Sequence, residues 1–279
     1  MNRLLIIDGH NLLFQMFFGM PTKIVGAKGK AIHGVIGFVG AVNRLCEIYN
    51  PTHLLVMFDG ERENPRKNIL EDYKANRIDY STVPDDENPF TQLPYIYEAL
   101  DYMGIKYSET TDCETDDVIA AYAIKHGKEN EVIISSFDSD YFQLITDNVR
   151  VARYRGNSTL LCDKCYILEK YGVAPELYLD FKCMVGDASD NIKGIRGVGP
   201  KTAAKLINTY GNLAAIRARS LEIESEKIRT AIDESGEIIE RNLSLIRLGE
   251  GASLPFELDK LTFANPHIRT MDVIRGIGH

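Results

Sequence analysis

Eight carboxylates recur in this chain at places where they could act together. Asp187 and Asp190 are three residues apart, a spacing that predicts one side of a helical turn, where the pair could share a cation. Asp8, Asp59, Glu114, Asp116, Asp138 and Asp140 follow apolar runs that read as strands, or open the helical runs just after them. Carboxylates that converge without countercharge repel, so a common site for them makes sense if hard cations neutralise it, and all-oxygen donors suit Mg²⁺ or Mn²⁺. Just beyond Asp190, Gly197-Val198-Gly199 predicts bare backbone N–H groups at a helix N-terminus, a seat for phosphate. Residues 191–220 hold Lys193, Arg196, Lys201, Lys205, Arg217 and Arg219 but no Asp or Glu, which sets a basic patch beside an acidic pair. Single acids also have plainer roles. Thr111-x-x-Glu114 fits a capping box, Asp138 can cap the helix it opens, and Asp-Gly after a strand is a common turn. The recurrence at successive strand ends favours the metal reading.

The elements that must position these acids alternate. Apolar runs at 4–7, 53–58, 104–107 and 131–135 read as strands, and 149–154 and 159–161 as two more. Val35, Phe38, Val39, Val42, Cys46 and Tyr49 recur at helical spacing, and further helices are expected over 95–103, 118–126 and 141–145. Strands alternating with helices predict a mostly parallel sheet, whose ligands sit beyond the carboxyl ends of the strands. Between the second strand and the next helix, 61–94 is a long, charge-dense insertion carrying Arg62, Arg66, Lys67, Tyr73, Lys74 and Arg77, then the acidic Asp85-Asp86-Glu87. After about residue 163 helical patterns dominate, at 163–171, 175–185, 201–210, 221–234 and 237–248, with at most a strand near the tail. The expected division is 1–163 and 164–279.

At 279 residues the chain can bury a substantial core without covalent staples. Five cysteines in scattered positions do not form a disulfide framework, which points to a reducing, cytoplasmic setting. The first apolar run is too short for a signal peptide or membrane span. A net charge of −8 would ordinarily argue against a nucleic-acid partner, but carboxylates gathered to hold cations do not count as negative charge in the loaded protein. Cys162-x-x-Cys165 has no second pair and reads as a strand-to-helix join rather than a zinc site, and His10 beside Asp8 reads as a packed or hydrogen-bonded residue. There is no GxxxxGK[ST] loop and no nucleophile elbow.

Asp8-Gly9, Phe58-Asp59, Tyr73-Lys74-Ala75-Asn76-Arg77, Glu114-x-Asp116-Asp117, Asp138-x-Asp140-x-x-Gln143-Leu144 and the run from Gly186-Asp187-x-Ser189-Asp190 to Gly197-x-Gly199-x-Lys201-Thr202-Ala203 together resemble the 5′-to-3′ exonuclease and flap endonuclease family, over nearly the whole chain. That family includes the N-terminal nuclease domain of bacterial DNA polymerase I. The chain departs from the family pattern at Asp112, Phe137 and Lys193, none of them a proposed ligand. The resemblance implies an α/β, PIN-like nuclease fold followed by an all-α region with a helix-three-turn-helix at about 183–210. It implies that 61–94 forms an arch over the site. Asp8, Asp59, Glu114 and Asp116 would hold one metal ion, and Asp138, Asp140, Asp187 and Asp190 a second. Lys74 and Arg77 would stabilise charge on the scissile phosphate, and Tyr73 could stack on a base or pack under the arch. Gly197, Val198, Gly199, Lys201 and Lys205 would grip duplex DNA, with K⁺ at the glycine turn. The expected activity is metal-dependent hydrolysis of DNA at 5′ ends or 5′ flaps by a monomeric, stand-alone enzyme. Two other readings are a catalytically weak DNA-structure-binding protein, against which the intact acid sets argue, and a PIN-type ribonuclease, against which the glycine turn argues.

Overall fold

The structure is a computed structural model that describes residues 2–27, 29–60, 65–249, 251–264 and 268–279. Its centre is a six-stranded sheet in the order β3-β2-β1-β4-β5-β6, with β1 (Arg3–Asp8), β2 (His53–Asp59), β3 (Lys106–Thr110), β4 (Glu131–Ser135), β5 (Val149–Arg153) and β6 (Leu160–Cys162). All neighbours pair in parallel except β6, which runs antiparallel to β5. The apolar runs are continuous because both faces are covered. Leu4, Ile6, Leu55, Met57, Val132 and Ile134 bury into one core layer, and Leu5, Ile7, Leu54, Val56, Phe58 and Ile133 into the other.

The second layer is made by α1 (Gly9–Gly19), α2 (His33–Tyr49), α3 (Leu93–Tyr102) and, from the far end of the chain, α11 (Thr270–Gly276). On the first face lies α4 (Thr115–His126), and its core runs on into the helical region: α5 (Lys164–Tyr171), α6 (Tyr178–Val185), α7 (Pro200–Tyr210), α8 (Leu213–Ala218), α9 (Glu226–Asp233) and α10 (Gly236–Ile246). Cys162 ends β6, Asp163 caps α5 by accepting the Tyr166 N–H at 2.9 Å, and Cys165 sits in that helix, so the CxxC is a strand-to-helix join.

Several features differ from the sequence-based expectations or add to them. Helix α1, unexpected because it follows β1 without a break, is opened by Asp8, whose side chain accepts the Asn11 N–H at 3.0 Å, and it buries Leu12, Leu13 and Phe17. Asp187 and Asp190 do not share a helical turn: Asp187 ends the two-residue strand β7 (Gly186–Asp187), Asp190 lies in the turn, and β8 (Ile192–Lys193) returns antiparallel. The hairpin forms because Gly186 (φ +81°) ends α6 and reverses the chain; a Cβ there would lie 2.4 Å from the Gly194 nitrogen. Within the described part of 61–94 the chain runs in short 3₁₀ turns (Pro65–Asn68, Tyr80–Thr82, Pro89–Gln92), while Arg62 lies outside the described residues. The tail forms α11 and, among the described residues, only an isolated bridge between His53 and Thr262 in place of a strand.

Candidate active site

Parallel strands deliver their ends to one edge, and the acids gather there. Asp8 ends β1 and Asp59 ends β2. Glu114 and Asp116 stand at the start of α4, and Asp138 and Asp140 follow β4. The β7–β8 hairpin brings Asp187 and Asp190 to the same edge, tied there through the insertion: the Lys74 N–H donates to Asp190 O at 3.1 Å, Asn76 Nδ2 to Ala188 O at 3.2 Å, and Asn191 Nδ2 to Asp72 O at 3.0 Å.

Asp8, Asp59, Asp116 and Asp138 are held by neutral groups. Asp8 accepts the Asn11 N–H at 3.0 Å and the Ser136 hydroxyl at 2.9 Å. Asp59 accepts the Thr115 N–H at 2.9 Å, with His10 Nδ1 3.7 Å away. Asp116 accepts the Tyr141 hydroxyl, and Asp138 the Asp140 N–H at 2.8 Å. Among the described residues no lysine or arginine lies within ion-pair distance of these four. Burial pushes the Asp8 carboxyl up to about 6 against the pull of the Asn11 N–H, and the charges of Asp59 and Asp138 add to the rise. Burial, then the Asp138 charge, raises Asp116 well above the ordinary carboxylate range, with Asp8 and Asp59 contributing. Burial opposes the charge of Asp59, but His10 and the Thr115 N–H hold it below the ordinary range. The donors are all oxygen and come from four elements, and Lys74 and Lys182 ease the repulsion among them only from beyond ion-pair distance. That chemistry fits a hard divalent cation.

The other acids already carry countercharge. Arg66, itself buried, pairs with Glu114 and with Asp117 at 3.0 Å, and Lys74 Nζ lies 3.0 Å from Glu114 Oε1. Arg77 Nη2 donates to Asp190 at 2.9 Å. Lys182 Nζ bridges Asp187 and Asp140, the latter at 2.9 Å. Burial and then the Asp138 charge carry Asp140 up to about 7 in spite of Lys182. Asp187 moves the other way: burial opposes its charge, but Lys182 and Ser189 hold it below the usual range. As they stand, no three acidic, histidine or cysteine side chains among the described residues are gathered closely enough to hold one ion.

Lys74 and Arg77 therefore stand at the acid cluster. Tyr73 does not offer a face to a base: its ring is 2% exposed, and its hydroxyl donates to Glu114 and Asp190 at 3.3 Å each, so it packs beneath the insertion. Gly197, Gly199, Lys201 and Lys205 are exposed at the start of α7. The N–H groups of that turn are not all bare, because Val198 is buried and its N–H donates to Ile195 O at 3.0 Å. His10 is packed between the rings of Phe58 and Phe90. Lys182, Arg66, Tyr141 and Ser136 were not anticipated as part of the site. The one legible signal was Lys182, a lysine inside the apolar run Tyr178, Phe181, Cys183 and Met184.

Residues 3–172 match the family profile described as 5′-3′ exonuclease, N-terminal resolvase-like domain, and residues 173–269 match 5′-3′ exonuclease, C-terminal SAM fold. The thermostable DNA polymerase I of Thermus thermophilus is 33% identical over 258 residues, 92% of this chain and 30% of the polymerase, so the chain spans under a third of that relative. Bacteriophage T5 5′-exonuclease with bound divalent metal ions (zinc) superposes with a TM-score of 0.71 at 25% identity, covering 99% of this chain and 96% of the other. A T5 flap endonuclease variant in a pseudo-enzyme–product complex with DNA and metal ions gives 0.70 at 25% identity, with the same coverage. An acid cluster at the edge of a mostly parallel sheet, a helical region behind it and both halves of the family profile lead to one conclusion: the chain belongs to the 5′-3′ exonuclease and flap endonuclease family of nucleases.

Proposed function

We propose that this chain hydrolyses phosphodiester bonds of DNA at 5′ ends and 5′ flaps, in replication or repair, using divalent cations held by Asp8, Asp59, Glu114, Asp116, Asp138, Asp140, Asp187 and Asp190. The observation that carries this reading is the group Asp8, Asp116 and Asp138 at the strand ends, carboxyls that burial and one another's charge raise and that no lysine or arginine pairs directly among the described residues, with Asp59 beside them. Two ions of Mg²⁺ or Mn²⁺ would supply polarisation of the scissile phosphate and activation of the attacking water. Lys74 and Arg77 lie within reach of the acids and turn toward the phosphate that arrives among them, so their charge is set against that of the reacting group. Lys201 and Lys205, exposed beside Gly197 and Gly199, hold the duplex by its backbone, with K⁺ at the turn. The division into a nuclease unit, 1–163, and a helical DNA-binding unit, 164–279, follows the last strand of the sheet, β6. We take the chain as a monomer in a cytoplasmic setting: no disulfide joins its five cysteines among the described residues, and no helix among them is long and apolar enough to cross a membrane.

The test is a panel of labelled nicked, blunt and 5′-flap DNA and a matched RNA, each with Mg²⁺ and with chelator. Cleavage of the 5′-flap and nicked DNA that chelator abolishes is expected. Cleavage that survives chelation, or that is confined to RNA, overturns the assignment.

A further inference from the structure

Lys182 stands between two of the acids proposed above as metal ligands. It lies on α6 with 7% exposure, and its Nζ sits between Asp187 Oδ2 and Asp140 Oδ1, with Ser139 Oγ at 3.2 Å. The contact with Asp140, at 2.9 Å, is an ion pair rather than an aligned hydrogen bond. The other oxygen of Asp187 already accepts the Ser189 N–H at 2.8 Å and the Ser189 hydroxyl. Asp190 is equally engaged, by Arg77 at 2.9 Å on one oxygen and by Tyr73 at 3.3 Å and Lys74 at 3.9 Å on the other. The fold therefore holds two kinds of acid. Asp8, Asp59, Asp116 and Asp138 have neutral donors around them, whereas Asp140, Asp187 and Asp190 have fixed positive charge against them.

An ammonium and a divalent ion cannot share the same pair of carboxylates without strong repulsion in a buried site. We propose that Lys182 is a built-in competitor for the second divalent cation: it clamps Asp140 to Asp187 in the metal-free protein and must withdraw toward Ser139 before an ion can take both. This rests on the metal-dependent reading above and adds to it an order of loading. The first ion goes to the acids that no lysine or arginine pairs directly, and the second ion displaces Lys182.

The test titrates the wild-type chain, Lys182→Met and Lys182→Arg with Mn²⁺ alone, without DNA, by calorimetry and electron paramagnetic resonance. Wild type should bind one ion and then a second more weakly. In Lys182→Met the first affinity should be unchanged and the second should rise about tenfold or more, as expected for removal of one adjacent positive charge. Lys182→Arg should keep the second site weak. A second-ion affinity that is unchanged or lower in Lys182→Met overturns the proposal while leaving a two-ion enzyme standing. If Lys182→Met fails to fold, the ε-ammonium resonance of Lys182 in wild type answers the same question during a Mg²⁺ titration. It should stay in place through the first equivalent and move with the second; movement with the first, or none, overturns the proposal. Absence of any divalent binding by wild type would fell the metal reading itself and this proposal with it.

Discussion

At the residue scale, Asp8 and Asp140 are acids whose buried surroundings favour the neutral form. Asp8 faces Asp59 and Asp138, with Asn11 and Ser136 as donors; Asp140 faces Asp138, Asp187 and Lys182. Their folded-state values, about 6 and about 7, lie above the ordinary carboxylate value, so the folded protein binds these protons more tightly than the unfolded chain. Their contribution to stability is full below the ordinary carboxylate value, near pH 4, and is lost progressively as pH rises to 6 and 7. Asp187, held low by Lys182, has the opposite sign and loses its contribution on the acid side. In chelator, urea unfolding should show stability falling between pH 4 and pH 7 by on the order of 2 kcal/mol, the size expected for a shift of about two units in one buried carboxyl. Mg²⁺ at pH 8 should reverse most of the loss, and Asp8→Asn should flatten the profile. Stability that rises over the same range would show that the acids are not crowded as described.

At the scale of the element, the turn before α7 separates folding from binding. Gly197 has φ +82°, a conformation that costs an L side chain about 1–2 kcal/mol, whereas Gly199 is extended (φ −90°) and a Cβ there would meet nothing within 4 Å. Gly197→Ala should therefore lower stability by about 1–2 kcal/mol. Gly199→Val should leave stability nearly unchanged and weaken duplex binding, measured by fluorescence anisotropy in Ca²⁺. Unchanged binding by a folded Gly199→Val would mean that no phosphate approaches that backbone. The strands and their order of acids were legible in the sequence because apolar runs covered on both faces have a signal of their own, as 4–7 and 53–58 show. Helix α1 was not, because Asp8-Gly9 reads as a turn after the strand, whereas Asp8 caps a helix that starts at once and buries Leu12, Leu13 and Phe17. The β7–β8 hairpin was hidden for another reason: a spacing of three suits a helical turn and a tight hairpin alike, and only the reversal at Gly186 decides between them. Pairing of Lys182 or Arg66 with the acids depends on packing across elements far apart in the chain, which no local pattern reports.

At the scale of the whole molecule, a chain of net charge −8 carries its acids and its exposed bases in different places. The acids converge at the sheet edge, while Arg196, Lys201 and Lys205 stand exposed around the start of α7. Lys201→Ala should weaken duplex binding uniformly across sequences and reduce the log-log salt slope by about 1, as for one lost phosphate contact. An unchanged slope would place the duplex elsewhere. On the function proposed above, the acids that no lysine or arginine pairs directly run the reaction and the basic face does the holding. The most direct measurement compares wild type with Asp116→Asn on one 5′-flap substrate, by single-turnover cleavage in saturating Mg²⁺ and by affinity in Ca²⁺. Cleavage should fall by more than about a hundredfold, because a catalytic cation supplies several kcal/mol, while affinity stays close to wild type. Near-normal cleavage by a folded Asp116→Asn at saturating Mg²⁺ would contradict the account.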